Sequence, residues 1–175
     1  MDVGRFYFVD DNFFKKHDPE QTLMQNKEII NGKIANRPCY MAFPDKDENR
    51  IFWCIPISSK VEKYKGIVER KLLKQNAERI HPRECDTIRF AFVLGEERAF
   101  LIQNMFPITD TYIMNKYLNK SAGNTEVRID LAAESDIISR AKKVLKLHRK
   151  GIKLVFGDID KIYRALQEEL TVSNA

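Results

Sequence analysis

Two apolar runs on either side of a short polar insert are the feature that most restricts how this chain can fold. Residues 38–43 read PCYMAF, residues 51–57 read IFWCIPI, and five of the seven residues between them are charged. Runs of this length and composition, separated by a polar turn, predict an antiparallel hairpin. Because both runs are apolar on both faces, each strand must be covered on two sides, as in a closed barrel or a sheet flanked by helices.

Further strand patterns lie before and after this hairpin. Residues 5–9 (RFYFV) form a short aromatic and β-branched run, and residues 88–94 and 99–103 predict a second hairpin that turns at Gly95-Glu96-Glu97. Residues 127–130 are compatible with one more strand. The polar stretch 18–37 has only a weak period, so we expect a loop with some helix there.

The apolar period becomes helical after Lys60. Residues 61–78 carry apolar side chains at helical spacing with basic residues between them, which predicts an amphipathic helix. The C-terminal third is also helical in pattern, with Gly151 placed to end one helix and Asp158 placed to cap the next. This order of elements predicts an α+β chain of one domain over residues 1–175, a compact β-barrel wrapped by helices.

Positive charge is concentrated in two segments of a chain whose formal net charge is +5. Residues 60–83 hold eight basic and three acidic residues, and residues 140–153 hold seven basic residues and no acidic one. Such a field attracts polyanions and makes nucleic acid the first partner to test, although a solvated helix face gives the same pattern. The candidate RNA contacts in the second segment are Lys142, Lys143, Lys146 and Arg149.

Several protein classes are disfavoured by what the sequence lacks. It has no apolar run long enough to cross a bilayer and no signal-peptide pattern, so we expect a cytoplasmic protein. Cys39, Cys54 and Cys85 lack CxxC spacing and are interpreted as packed thiols. The motifs GxxxxGK[ST], GxGxxG, HExxH and GxSxG are absent, and neither a metal nor a cofactor is predicted.

The segment Pro56-Ile57-Ser58-Ser59-Lys60 is the strongest candidate for chemistry because it joins a predicted strand to a predicted helix. RNA cleavage can use the ribose 2′-hydroxyl as an internal nucleophile, so a protein need only align it, assist proton transfer and stabilise charge. Lysine, serine hydroxyls and the N–H groups of a helix start all bind phosphate. The serines could equally serve as helix caps.

Four residues elsewhere are weaker candidates. Arg37 precedes the first hairpin strand and could contact a scissile phosphate. Tyr7 and Tyr40 could stack on a base, although aromatic residues in strands often belong to the core. His81 is a lone candidate for a base or a phosphate donor.

Four short blocks occur in the order seen in a known family, at residues 5–9, 36–40, 56–60 and 99–112. They resemble the toxins of type III toxin–antitoxin systems, the ToxN, AbiQ, TenpN and CptN group. The resemblance covers most of the chain. It implies an SH3-like antiparallel β-barrel with added helices, similar to the Kid and MazF toxins. It also implies a metal-independent endoribonuclease that leaves a 2′,3′-cyclic phosphate and a 5′-hydroxyl.

The resemblance further implies partners and roles. The partners would be target mRNA and a repeated, pseudoknotted RNA antitoxin, which the toxin cuts into units and with which it assembles in phage defence. The family's active segment falls on Ser58, Ser59 and Lys60, with Lys63 as a second candidate because the family has a proline before its lysine. Its basic strand residue corresponds to Arg37. The alternative is a non-catalytic regulator that grips nucleic acid through its basic segments.

Overall fold

The computed structural model describes residues 1–30, 32–78 and 86–172, and the described chain is α+β. In chain order its elements are β1 (Arg5–Val9), α1 (Asp11–His17), β2 (Lys27–Ile30), β3 (Lys33–Asn36), β4 (Cys39–Pro44), β5 (Phe52–Ser58), α2 (Val61–Ala77), β6 (Arg89–Val93), β7 (Glu96–Phe100), β8 (Phe106–Ile108), β9 (Ile113–Lys116), β10 (Leu118–Asn119), β11 (Thr125–Glu126), α3 (Leu131–His148) and α4 (Ile159–Val172). The predicted helix after Lys60 and the predicted first strand are both confirmed.

The main sheet has seven antiparallel strands in the order β6-β7-β5-β4-β1-β9, with β8 paired to β5 beside this path. The hairpin predicted from the two apolar runs is confirmed, with Tyr40 opposite Ile55. Strand β5 is the branch point, since its first half pairs with β8 and its last two residues, Ile57 and Ser58, pair with β7. Pairing with β7 therefore holds the end of β5 that leads into α2.

Helices pack against the sheet, and the large hydrophobic core lies between them. α3 packs against β4 and β6, and α4 packs against β8. The predicted α+β class is confirmed, whereas the pairings among the described strands run along an open path with β6 and β9 at its edges. A closed barrel stays a prediction. No helix in the described part of the chain is long and apolar enough to span a membrane.

Two weakly patterned segments differ from the prediction. Within residues 18–37, expected to be a loop with some helix, β2 and β3 form an antiparallel ribbon with Ile29 opposite Ile34. Both isoleucines are exposed, so the ribbon buries no apolar face that would give the sequence a strong period. Residues 127–130 form no strand. Val127 and Ile129 are buried at alternating positions, which produces the strand-like pattern.

The second hairpin is confirmed, but its turn lies one residue earlier than predicted. The turn residues are Leu94 and Gly95, with φ of 52° and 80°, and Val93 pairs with Glu96. Positive φ at both positions is typical of the two-residue turns that match the twist of paired strands. The two glutamates expected in the turn are instead the first residues of β7. They lie at or near the surface, as their polar side chains require.

Cys39 and Cys54 are buried free thiols, as predicted, and burial raises the pKa of the Cys54 thiol. Cys85 lies outside the described residues.

Candidate active site

The junction between β5 and α2 places the predicted segment at the start of a helix. Ser58 is buried at the end of β5, and its Oγ accepts a hydrogen bond from the Lys60 N–H at 3.2 Å. Lys60 occupies the N-cap position, and no side chain caps the helix. The helix-cap interpretation is therefore wrong for both serines. The Val61 N–H donates to the Ser59 carbonyl at 2.9 Å, so the N–H groups of the first turn that are suited to binding an anion such as phosphate are those of Glu62 and Lys63.

Arg37 is held beside this junction by contacts with Gln25, which precedes β2, and with Glu28 in β2. Its Nη1 donates to the Gln25 carbonyl at 2.6 Å, and its Nη2 donates to Glu28 Oε2 at 3.3 Å. The side chains of Arg37 and Glu28 are only 8% and 9% exposed. The Arg37 Nε is buried and has no hydrogen-bond partner among the described residues. Such a donor is rare and costly, and a ligand oxygen would reach it only after neighbouring groups shift.

Glu28 links the Arg37 side chain to the serine segment. Its Oε2 lies 3.5 Å from Ser59 Oγ, so the ribbon, the end of β5 and the start of α2 meet at one carboxylate. Tyr64, one turn into α2, is buried at the same place. Burial raises the pKa of Tyr64, while the positive charge of Arg37 and a hydrogen bond with Ser58 act in the opposite direction. We name this group the junction site: Glu28, Arg37, Ser58, Ser59, Lys60 and Tyr64.

The two candidate lysines lie at the outer edge of the junction site. Lys60 is exposed and forms no ion pair with any described residue. Lys63 is also exposed, and its Nζ lies 5.7 Å from the centroid of the Tyr64 ring. Both ammonium groups therefore remain candidates to contact a phosphate bound at the junction.

Glu28 and Tyr64 are the members of the junction site that sequence reasoning missed. Tyr64 carries a usable signal, because it follows Lys60 by four residues and so lies one helical turn away. Its position among the apolar residues of the helix, however, predicts a packing role from the sequence. Glu28 has no comparable signal, since it reaches the site only through the tertiary placement of the ribbon.

The two tyrosines proposed for base stacking belong to the core. Tyr40 is fully buried, with its ring centroid 5.2 Å from that of Phe6 and 5.5 Å from that of Phe100. Tyr7 is buried, and its hydroxyl hydrogen-bonds with the backbone of Asp2. Because burial leaves no ring face open to a base, the prediction that these tyrosines stack on RNA is wrong. Both rings belong to the core. The candidate His81 lies outside the described residues.

Part of the positive charge on α3 is neutralised within the protein. Lys143 Nζ lies 2.5 Å from Asp86 Oδ2, and Arg149 Nη2 lies 2.5 Å from the buried Asp45 Oδ2. Asp45 also accepts hydrogen bonds from the Trp53 indole and the Tyr163 hydroxyl, so Arg149 belongs to a network that joins α3, α4 and the β4–β5 connection. As RNA contacts, Lys143 and Arg149 are weaker candidates than the charge count indicates.

The other two α3 candidates border an open cavity. Lys142 and Lys146 lie beside a space of about 580 Å³ that also has Lys46 and Lys150 on its wall. Lys142 Nζ lies 5.4 Å from the centroid of the Phe43 ring. We name this surface the basic cavity: Phe43, Pro44, Asp45, Lys46, Lys142, Leu145, Lys146, Arg149 and Lys150.

Within the described ranges, no group of three or more His, Cys, Asp or Glu side chains is arranged to hold a metal ion. The side chains available at the junction site are cations, hydroxyls and one carboxylate.

Fold and site together define a small α+β protein with a polar site at a strand-to-helix junction. Among solved structures, the fold matches that of AbiQ, described as a lactococcal anti-phage endoribonuclease belonging to the type-III toxin-antitoxin system. The match covers 99% of this chain and 99% of AbiQ, with a TM-score of 0.58 and 15% sequence identity. No protein-family model matches the chain, and no curated protein sequence matches it significantly. The resemblance stated from the sequence blocks is confirmed at the level of the fold.

Proposed function

We propose that this chain is a metal-independent endoribonuclease, the toxin of a type III toxin–antitoxin system that acts in the bacterial cytoplasm. The observation that carries the proposal is the buried Arg37, whose Nε has no partner among the described residues, beside Ser58 and Ser59 on a fold shared with an endoribonuclease. A buried guanidinium next to hydroxyls and an uncapped helix start is suited to a phosphodiester.

In the proposed reaction the ribose 2′-oxygen attacks the adjacent phosphorus. The O2′–P bond forms as the P–O5′ bond breaks, which leaves a 2′,3′-cyclic phosphate and, after protonation, a 5′-hydroxyl. Ser58, Ser59 and the first-turn N–H groups of α2 orient the phosphate, and Arg37 offsets the charge that develops on it. Lys60 contributes by stabilising that charge or assisting proton transfer, with Lys63 as the second candidate.

Glu28 supplies a proton acceptor that the sequence alone did not suggest. Its Oε2 faces Arg37 and Ser59, whereas its Oε1 makes no hydrogen bond with the described residues. We assign Glu28 as the general base that accepts the proton of the 2′-hydroxyl. We assign to the exposed Lys60 the delivery of a proton to the leaving 5′-oxygen.

The proposed partners are target mRNA and a pseudoknotted repeat RNA antitoxin that the protein processes, assembled as a protein–RNA hetero-oligomer. For the antitoxin we propose the basic cavity on α3, where Lys142 and Lys146 make no ion pair with described residues. Several ammonium groups around one concave surface suit a folded polyanion.

Replacing both Lys142 and Lys146 by alanine should weaken RNA binding and make it less dependent on salt. Each lost phosphate contact reduces the slope of log affinity against log salt by about 0.7 to 0.9. The matched control replaces Lys15 and Lys120, two exposed lysines on other elements, and should change the slope little. Equal slopes for the two double variants would remove the basic cavity from the RNA interface.

The fold that we propose is an SH3-like antiparallel β-barrel with added helices, similar to the Kid and MazF toxins, within a single domain. One core cluster extends from Phe6 in β1 to Leu166 in α4, which supports a single folding unit.

The proposal is tested by incubating purified protein with structured and unstructured RNA, with and without EDTA. We expect cleavage at the same rate in both conditions, because no step uses a metal ion. Strong inhibition by EDTA would contradict the mechanism. RNA binding with no cleavage under any condition would instead favour the non-catalytic regulator.

A further inference from the structure

A second recess opens directly beside the junction site. It has a volume of about 340 Å³ and lies between the β2–β3 ribbon and the β6–β7 turn. Glu28 and Ser59 border both the recess and the junction site, so the two are continuous. We name it the ribbon cleft; the lining residues that matter here are Glu28, Asn36, Ser59, Glu96, Arg98 and Tyr117. Chemical groups attached to a phosphate bound at the junction site can therefore enter this cleft directly.

The charges around the ribbon cleft disfavour a second phosphate. Two carboxylates, Glu28 and Glu96, border it against one cation, Arg98, and Arg98 is already paired with Glu96. Glu28 is paired in the same way with Arg37, so the described lining offers no unpaired positive charge that would attract an additional anion. A neutral group with hydrogen-bond donors on its edge would instead meet carboxylate acceptors.

The remaining lining suits a flat ring. Tyr117 is held in place by edge contacts, with its ring centroid 5.6 Å from that of Phe8 and 6.4 Å from that of Phe6. Asn36 is exposed, and its amide makes no hydrogen bond with the described residues. An amide can form a paired donor–acceptor contact with the edge of a base, and an aromatic ring gives the base a surface to pack on. The volume lies near the small end of ligand pockets, which span roughly 300 to 1,000 Å³.

We infer that the ribbon cleft binds the nucleobase of a nucleotide adjoining the scissile phosphate and thereby sets the sequence preference of cleavage. The acceptors on its wall favour a base with an exocyclic amino group, adenine, cytosine or guanine, over uracil. This inference rests on the proposed endoribonuclease function. It adds a specificity role for Asn36 and Tyr117 that the phosphate chemistry does not require.

One test maps the cut sites in a random-sequence RNA pool digested by the wild type and by Asn36→Ala. At one position beside the cut, we expect the wild type to prefer amino-bearing bases to uracil. In Asn36→Ala, the ratio of cleavage at amino-bearing bases to cleavage at uracil should fall about tenfold. The matched control is Asn49→Ala, which changes an exposed asparagine at the opposite end of β5. It should keep the wild-type preference.

A second test measures binding without cleavage. Short 2′-O-methyl oligonucleotides of adenine, cytosine and uracil cannot be cut through the 2′-hydroxyl, so their affinities report on the site alone. We expect the wild type to bind the adenine and cytosine oligonucleotides more tightly than the uracil one, and Asn36→Ala to bind all three alike. Equal binding by the wild type, or an unchanged preference in the variant, would overturn the inference. A wild type that cuts no RNA would overturn the proposed function, and these affinities would still decide what the cleft binds.

Discussion

Replacing Lys60 by alanine is expected to lower the rate of RNA cleavage by about 10²- to 10³-fold, the usual effect of removing one donor to a developing oxyanion. Lys60 is exposed and makes no ion pair with the described residues, so the variant should unfold at the wild-type temperature. Antitoxin RNA should still bind, since the basic cavity is intact. Cleavage rate, RNA affinity and melting temperature measured on one preparation check all three expectations.

Two lysine controls on the same helix sharpen this test. Lys74→Ala removes an exposed lysine near the far end of α2, where its partner is Glu78, and should cleave at the wild-type rate. Lys63→Ala removes the second candidate at the junction. Loss of cleavage in Lys63→Ala together with full activity in Lys60→Ala would transfer the role to Lys63. Full activity in both variants would exclude a lysine from the reaction.

Replacing Arg37 by alanine is expected to abolish cleavage and to lower the free energy of unfolding by about 3 to 5 kcal/mol. The loss of stability follows because the Glu28 carboxylate would remain buried without its partner. Chemical denaturation measures it. The matched control is Arg50→Ala, whose pair with Glu48 lies at the surface and should contribute far less to stability than the Arg37–Glu28 pair. Equal losses in the two variants would contradict the account of the buried pair.

The variant Arg37→Lys separates folding from chemistry. It keeps the positive charge near Glu28 but lacks the Nε donor and the planar fork of the guanidinium. We expect most of the stability to return while cleavage remains strongly reduced. Wild-type cleavage by Arg37→Lys would mean that the Arg37 Nε contacts no substrate.

Local sequence patterns predicted the elements whose apolar faces are buried. The hairpin of β4 and β5 followed from two continuous apolar runs, because both faces of those strands lie in the core. The start of α4 followed from Asp158, whose carboxylate accepts a hydrogen bond from the Lys161 N–H. The position of Lys60 at a strand-to-helix junction followed from the change of period.

Features that depend on tertiary contacts could not be predicted in this way. The β2–β3 ribbon carries exposed isoleucines, and Glu28 joins the junction site only through its tertiary contacts with Arg37 and Ser59. The sequence shows the positive charges of α3 but not the acidic residues that pair with them. Asp86, distant in sequence, neutralises Lys143. Tyr40 gives the same pattern in a strand whether its ring lies inside the core or on a binding surface.

The central claim is that the RNA is cleaved at the junction site by attack of its ribose 2′-hydroxyl. The chemical ends of the products test this claim most directly. After digestion in EDTA, we expect every new 3′ end to carry a 2′,3′-cyclic phosphate and every new 5′ end to be a hydroxyl. A single 2′-deoxynucleotide at the cut position should block cleavage there. Products that end in a 3′-hydroxyl and a 5′-phosphate would contradict the account.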